Sequence, residues 1–412
     1  MLCNRKPAQS KRQSALCMLG ACLEEQDACA SCFEKHGCSG TSRAASNHHD
    51  QVVVSHDLSL YHRPVKPARP GNGSVCFDFR LLLPPFTRVL AERYSDPMKL
   101  RAFGNTDLVV SEYGLGCARI GGIFQGDSAS FLRLFAAAYD QGINFFDTAD
   151  MYSQGESETL LGQAFRKRRD SVIIASKAGY CLPTRRRFAA RIKPLLRPLI
   201  RALKIRRAQL PQGARGALSQ DFSPAYLRRA VDASLRRLRT DYLDLFQLHS
   251  VPLDVVQRGD WLPVLQDLQR SGKIRYYGVS CDVREAGLAS LKYPGVSSIQ
   301  CVLSLLEQGN ASELIPRAQQ QQVAIIAREC LANGLLIKEA SEVDLRGYCS
   351  SDEEALTRGQ VLKELRQQAA DAGISLATMA LKYTSELSGV SVTLLGARSV
   401  AQLQSLLQHQ PR

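Results

Sequence analysis

Residues 98–412 are predicted to fold as a (β/α)8 barrel of the TIM type, with an N-terminal hairpin and a mostly disordered N-terminal extension. Three observations predict it. Short apolar runs alternate with stretches of helical periodicity from Met98 onward, the pattern of βα units around a parallel sheet. There are eight such runs in about 315 residues, which fits a closed barrel. Three successive runs also end in polar residues, at the strand ends where a barrel gathers its chemistry.

The elements follow in order. Met98–Val110 reads as a hairpin ahead of the first strand, placed to plug the barrel bottom. Strand Glu112–Cys117 precedes a helix near Ser128–Gln141, and strand Ile143–Asp147 a helix near Glu156–Lys167. Ser171–Lys177 leads through a basic segment to a helix near Pro224–Leu238. Tyr242–His249 precedes a helix near Trp261–Ser271, with Trp261 itself read as a core residue. The remaining strands are Ile274–Ser280, Ser298–Val302, Val323–Ala327 and Val390–Leu395. Helices near Val283–Leu291, Ala311–Gln320, Leu356–Ala372 and Ser399–Leu407 lie between or after them. A doubly wound open sheet is the competing architecture. It calls for G-x-G-x-x-G after the first strand, and Gly114-Leu115-Gly116 lacks the third glycine.

Composition narrows the class. The chain has 412 residues, 45% hydrophobic and 22% charged, which excludes collagen, coiled coil and wholesale disorder. No run of apolar residues approaches the length of a membrane span. The net charge of +14 is unevenly spread, because Thr184–Gln220 holds eleven Lys/Arg and no acid. The rest is near +3, so nucleic acid is not expected as a partner.

The chain divides near Met98. Residues 1–97 lack sustained periodicity and hold seven of the 13 cysteines, and they read as a disordered, Cys-rich extension. Cys22, Cys29, Cys32, His36 and Cys38 fit no standard zinc spacing, so no metal site is assigned. The six later cysteines are scattered singly, as buried thiols in a reducing compartment are. The expected location is cytoplasmic, with organelle targeting by the extension as the alternative.

The chemistry lies at the strand ends. The second strand ends at Asp147, with Tyr152 in the loop beyond; the third ends at Lys177 and the fourth at His249. A lysine beside a tyrosine favours the phenolate, and a carboxylate fixes the lysine. Such a tyrosine exchanges a proton with a carbonyl or alcohol oxygen, and a histidine orients that oxygen. The missing electron source would be a bound hydride donor.

These residues carry a resemblance. The text Ile143–Phe165 (INFFDTADMYSQGESETLLGQAF), the strand ending at Lys177, Arg239–His249 (RTDYLDLFQLH), Tyr277-Gly278-Val279-Ser280, Gln300, Ala327–Leu336 (ARECLANGLL) and Gly396-Ala397-Arg398-Ser399 with Gln402 resemble the aldo-keto reductases. The resemblance covers 98–412 and none of 1–97. It implies an NAD(P)H-dependent oxidoreductase that reduces aldehydes or ketones, without metal. Tyr152 would be the general acid/base, tuned by Lys177 and Asp147, with His249 orienting the carbonyl. Ser280 and Gln300 match residues that hold the nicotinamide carboxamide. Arg328, Leu331 and Gly334 fall in the loop that meets the pyrophosphate, and Gly396, Arg398 and Gln402 fall at the adenosine end. Arg398 suits a 2′-phosphate, so NADP(H) is favoured over NAD(H). Cys281, Leu303 and Leu406 depart from the family's Asn, aromatic and Asn.

The substrate is expected to be a small carbonyl compound or a sugar. Two further readings stand beside the reductase. One is a sugar 1-dehydrogenase running in the opposite direction, and the other an NADP-binding regulatory barrel with little turnover. Lys177 to His249 spans 72 residues, about twice a plain strand–helix–strand unit. The surplus is a basic insert at about 183–220. It reads as a solvated surface segment, a lid over cofactor or an anionic substrate, or a contact with a membrane surface or partner.

Overall fold

The computed structural model describes residues 98–122, 126–181, 219–338, 343, 345, 349 and 351–408. The extension 1–97 and nearly all of the insert lie outside the described residues.

The hairpin is β1 (Leu100–Ala102) and β2 (Val109–Ser111), antiparallel. The first barrel strand is β3 (Tyr113–Gly116), followed by helix α1 (Ser128–Asp140). Asp127 caps α1 by accepting the Ser130 N–H at 2.6 Å. Phe131, Leu134, Phe135 and Ala138 form its buried stripe at helical spacing. Next come β4 (Phe145–Asp147), α2 (Glu156–Phe165) and β5 (Ile173–Ala178).

Two short strands, β6 (Tyr180–Cys181) and β7 (Ser219–Gln220), then pair antiparallel. The insert thus leaves and rejoins the barrel through a small ladder, which the sequence did not announce. Helix α3 (Pro224–Leu238) follows, capped by Ser223 and started by proline. Gly162 of α2 faces its end; a Cβ there would lie 2.2 Å from the Leu238 carbonyl oxygen, so only glycine permits this approach.

The second half continues through β8 (Leu243–Leu248), α4 (Leu253–Arg258), α5 (Leu262–Arg270), β9 (Ile274–Ser280) and α6 (Arg284–Ser290). It ends with β10 (Val296–Val302), α7 (Leu314–Gln320), β11 (Ala324–Arg328), α8 (Asp352–Asp371), α9 (Leu376–Glu386), β12 (Val390–Gly396) and α10 (Val400–Gln408). The strands close in the order β3-β4-β5-β8-β9-β10-β11-β12, all parallel. This is the expected (β/α)8 barrel.

Strand alternation divides the interior. The lower layer is apolar: Phe145, Ile173, Ala175, Leu245, Ala324, Ile326, Val392 and Leu394 cluster with Phe103, Leu108 and Val110 of the hairpin. The hairpin therefore does plug the barrel bottom. The upper layer, one inward step along the strands, is polar. Residues pointing outward join the helices in the main core, which includes Trp261, fully buried against Tyr293.

Candidate active site

The inward step above Phe145 is Asp147, and the one above Ala175 is Lys177. Lys177 is 1% exposed. Its ammonium lies 2.7 and 2.6 Å from the two Asp147 oxygens and 2.9 Å from the Thr148 carbonyl. All three protons have acceptors, so the group is locked in place. Burial pulls the Lys177 ammonium below its ordinary range, and Asp147 opposes this. The same ammonium stands 5.2 Å from the centre of the Tyr152 ring.

The backbone after Tyr152 is strained. Ser153 (φ 50°) and Gln154 (φ 64°) are left-handed without being glycine, and Gly155 follows at φ 86°. The turn is held by the Ser153 hydroxyl, which donates to the Ile120 carbonyl at 2.8 Å. Ser250, beside His249, and Glu329, Ala332 and Asn333, beyond β11, are left-handed too. These six are three quarters of the eight non-glycine residues with positive φ among the described residues. Such strain gathers where side chains must be aimed, and here it gathers at one end of the barrel.

His249 follows β8, and its ring meets Tyr152 edge-on at 5.6 Å between centroids. Its Nδ1 is buried with no hydrogen-bond partner among the described residues. Burial, then the charges of Lys177 and Arg328, hold the imidazole well below its usual range. It is therefore neutral at physiological pH and has one N–H to donate. All four predicted catalytic side chains converge at the C-terminal mouth.

The predicted cofactor residues divide into three groups. Ser280 ends β9 and pairs in register with Gln300 of β10 in the polar layer. The Ser280 hydroxyl donates to Gln300 Oε1 at 3.3 Å, and Gln300 Nε2 crosses the barrel to donate to Asp147 Oδ1 at 2.8 Å. Gln300 is thus joined to the Lys177–Asp147 pair. Arg328, at the end of β11, turns its guanidinium to Asp282 and Glu329. Leu331 and Gly334 lie just beyond, with Leu331 buried and Gly334 at φ 96°. Gly396 and Arg398 are exposed at the end of β12. Gln402 Oε1 accepts the Arg398 N–H at 2.9 Å, and Ser399 caps the start of α10. Cys281, Leu303 and Leu406 are all buried.

Sequence reasoning missed several residues at this mouth. The Tyr180 ring meets His249 edge-on at 5.0 Å, although it stands only three residues beyond Lys177. The Gln220 amide donates to the carbonyls of His249 (3.3 Å) and Ser250 (3.0 Å). Asp282 accepts from both Arg328 and Ser250. Among the described residues no three His, Cys, Asp or Glu side chains form a metal-binding group, and no helix is long and apolar enough to cross a membrane.

A parallel eightfold barrel with these side chains at its mouth defines a barrel oxidoreductase class, and the comparisons agree. The profile of the aldo/keto reductase family matches residues 113–410. An uncharacterized oxidoreductase of Bacillus subtilis, YqkF, is 30% identical over 76% of this chain and 90% of its own length. The holo form of aldo-keto reductase AKR11C1 from Bacillus halodurans superposes with a TM-score of 0.59 at 31% identity, covering 76% of this chain and 90% of that one. Glycerol dehydrogenase AKR11B4 from Gluconobacter oxydans gives 0.60 at 26% identity, covering 75% and 89%. The chain belongs to the aldo/keto reductase family.

Proposed function

We propose that the chain reduces an aldehyde or ketone to its alcohol, with NAD(P)H as hydride donor and Tyr152 as general acid. The convergence of Asp147, Lys177, Tyr152 and His249 at one mouth carries this reading. The mouth suits a dinucleotide. Ser280 and Gln300 give it a polar floor, and Gly334 and Gly396 present backbone that no atom of the described residues would crowd even with a Cβ added. The capped start of α10, beside the exposed Arg398, suits a phosphate. Bound NAD(P)H supplies the hydride. The chain does the rest. Neutral His249 donates an N–H to the substrate oxygen and orients it. Tyr152 passes its proton to that oxygen, and the Lys177 ammonium stands where negative charge develops on the phenol. Asp147 keeps the ammonium there.

Arg398 favours NADP(H) through a 2′-phosphate contact. The substrate is read as a small carbonyl or sugar, and the same residues serve the reverse reaction, oxidation of an alcohol. The free buried thiols of the barrel, such as Cys117, Cys281, Cys301 and Cys330, suit a reducing, cytoplasmic setting.

Fluorescence titration with NADPH and NADH, followed by a carbonyl panel, tests this reading. Tight NADPH binding with turnover is expected. Tyr152→Phe is expected to bind cofactor as before and lose turnover by at least about a hundredfold, the scale of general acid catalysis. Arg398→Ala is expected to weaken NADPH about tenfold and leave NADH unchanged, as for one charge-assisted contact. Binding without turnover on any carbonyl, alcohol or sugar would overturn the enzymatic reading, as would an active Tyr152→Phe.

A further inference from the structure

A chain of three residues outside the catalytic four ends on them. Its meaning rests on reading those four as the active site. Asp150 lies two residues before Tyr152, and its N–H donates to the Lys177 carbonyl at 2.9 Å. Tyr226, in the first turn of α3, places its hydroxyl oxygen 3.2 Å from Asp150 Oδ2 and 2.9 Å from the Tyr180 carbonyl oxygen. The Tyr180 ring meets His249 edge-on and packs against the cluster of Ala149, Met151 and Tyr152.

Counting protons is decisive. A phenol has one to give. The Tyr180 carbonyl has none, so the 2.9 Å contact uses the Tyr226 proton. The Asp150 contact then needs a proton from the carboxyl. An ionised Asp150 would instead draw the phenolic proton to itself and away from the Tyr180 carbonyl. It would also leave a charged Oδ1 buried with no hydrogen-bond partner among the described residues.

We propose that Asp150 is a positioning residue that carries a proton in the competent enzyme: its O–H donates to Tyr226, Tyr226 donates to the Tyr180 carbonyl, and Tyr180 braces His249. The surroundings support this. Burial first, and the charge of Glu158 second, push the Asp150 carboxyl up to about 7, with Arg237, the Tyr226 hydroxyl and the Met151 backbone N–H opposing. Glu158 of α2 is fixed by the Ser176 hydroxyl of β5 at 2.6 Å and by Arg237 of α3 at 2.5 Å. The Lys177 ammonium is committed to Asp147 and Thr148. Cys181 of β6 and Asp150 both face Tyr226, whose phenol burial pushes far up, so it keeps its proton.

The test uses the full chain, NADPH and glyceraldehyde, with kcat and KM followed across pH. In the wild type, kcat is expected to fall as pH rises through about 7. Asp150→Asn, whose amide donates at every pH, is expected to keep kcat within about twofold in mildly acidic buffer and to lose that fall. Tyr226→Phe is expected to lower kcat about fivefold below wild type in mildly acidic buffer, the worth of one hydrogen bond, to converge on the wild type above about pH 7, and to leave KM for NADPH unchanged. A persisting fall in Asp150→Asn, or a loss in it matching Tyr226→Phe, would overturn the proposal.

Infrared difference spectroscopy needs no turnover and covers a variant that folds poorly. A protonated-carboxyl stretch is expected in the wild type, titrating away near neutrality, shifted in Tyr226→Phe and missing in Asp150→Asn. Its absence from the wild type in mildly acidic buffer overturns the proposal whatever the activity. Its presence without turnover of any carbonyl leaves the proton on Asp150 and refutes the active-site reading alone.

Discussion

His249 and Asp150 pull the pH dependence of stability in opposite directions. The His249 imidazole sits well below its usual range when folded, so between that value and about 6.5 the unfolded chain binds the extra proton. Stability from this group is complete above about pH 6.5 and falls as acid is added, by up to about 1.4 kcal/mol per pH unit. Asp150 is raised when folded, to about 7, so between its ordinary range and 7 the folded chain binds the extra proton. Its contribution is complete in acid and is lost as pH rises through 7. Removing either group therefore tilts the curve. Chemical denaturation of His249→Gln is expected to show stability gained, relative to wild type, on going from neutral to mildly acidic buffer; Asp150→Asn is expected to show it lost. Parallel curves for both variants would mean that neither group titrates differently on folding.

The hairpin and the barrel strands set the next scale. Phe103 is fully buried, with its ring 5.8 Å from that of Phe145 in the lower layer. Phe103→Ala is expected to cost about 3–5 kcal/mol in urea denaturation, as a large buried ring replaced by a cavity does. Affinity for NADPH should stay unchanged, because the polar layer lies a full inward step above. An unaltered urea midpoint would show that the hairpin does not seal the barrel. These elements were legible because their burial is written in apolar runs. Helices α4 and α9 were not. The former has six residues, and the latter buries Thr378, Ala380, Leu381, Thr384 and Ser385, a face with too few large apolar residues to mark its period. At the site, strand ends revealed Asp147, Lys177 and His249, since each closes an apolar run. The Gln300–Asp147 bond joins opposite sides of the barrel, and the Tyr180–Tyr226–Asp150 chain joins a loop, a helix and a short ladder. Contacts of that kind depend on closure, and no local pattern records them.

Over the whole molecule, the distribution of charge leads to the last prediction. Arg185–Arg215 contains all eleven Lys/Arg of the insert, so its removal takes the net charge from +14 to +3. The segment departs at Cys181 and returns at Ser219, and these two are ladder partners, roughly 5 Å apart as antiparallel neighbours are. Six residues, 182–184 and 216–218, would remain to join them, an ordinary length for a connection between elements. The deletion is therefore expected to keep the barrel, with a melting temperature close to that of the full chain. The ladder stands at the mouth, where Gln220 holds the His249 carbonyl, so the segment that carries the eleven charges joins the barrel at the opening. Positive charge there raises the local concentration of an anionic dinucleotide and speeds its arrival, an effect that salt screens. Stopped-flow association of NADPH with the full chain is expected to slow steeply as salt rises. The deleted chain should associate at least about tenfold more slowly at low salt and depend little on salt, the signature of lost steering. Equal salt dependence in the two chains would show that the insert's charge does not act at the mouth. A deletion that failed to melt cooperatively would show instead that the ladder needs the insert to hold Gln220 in place.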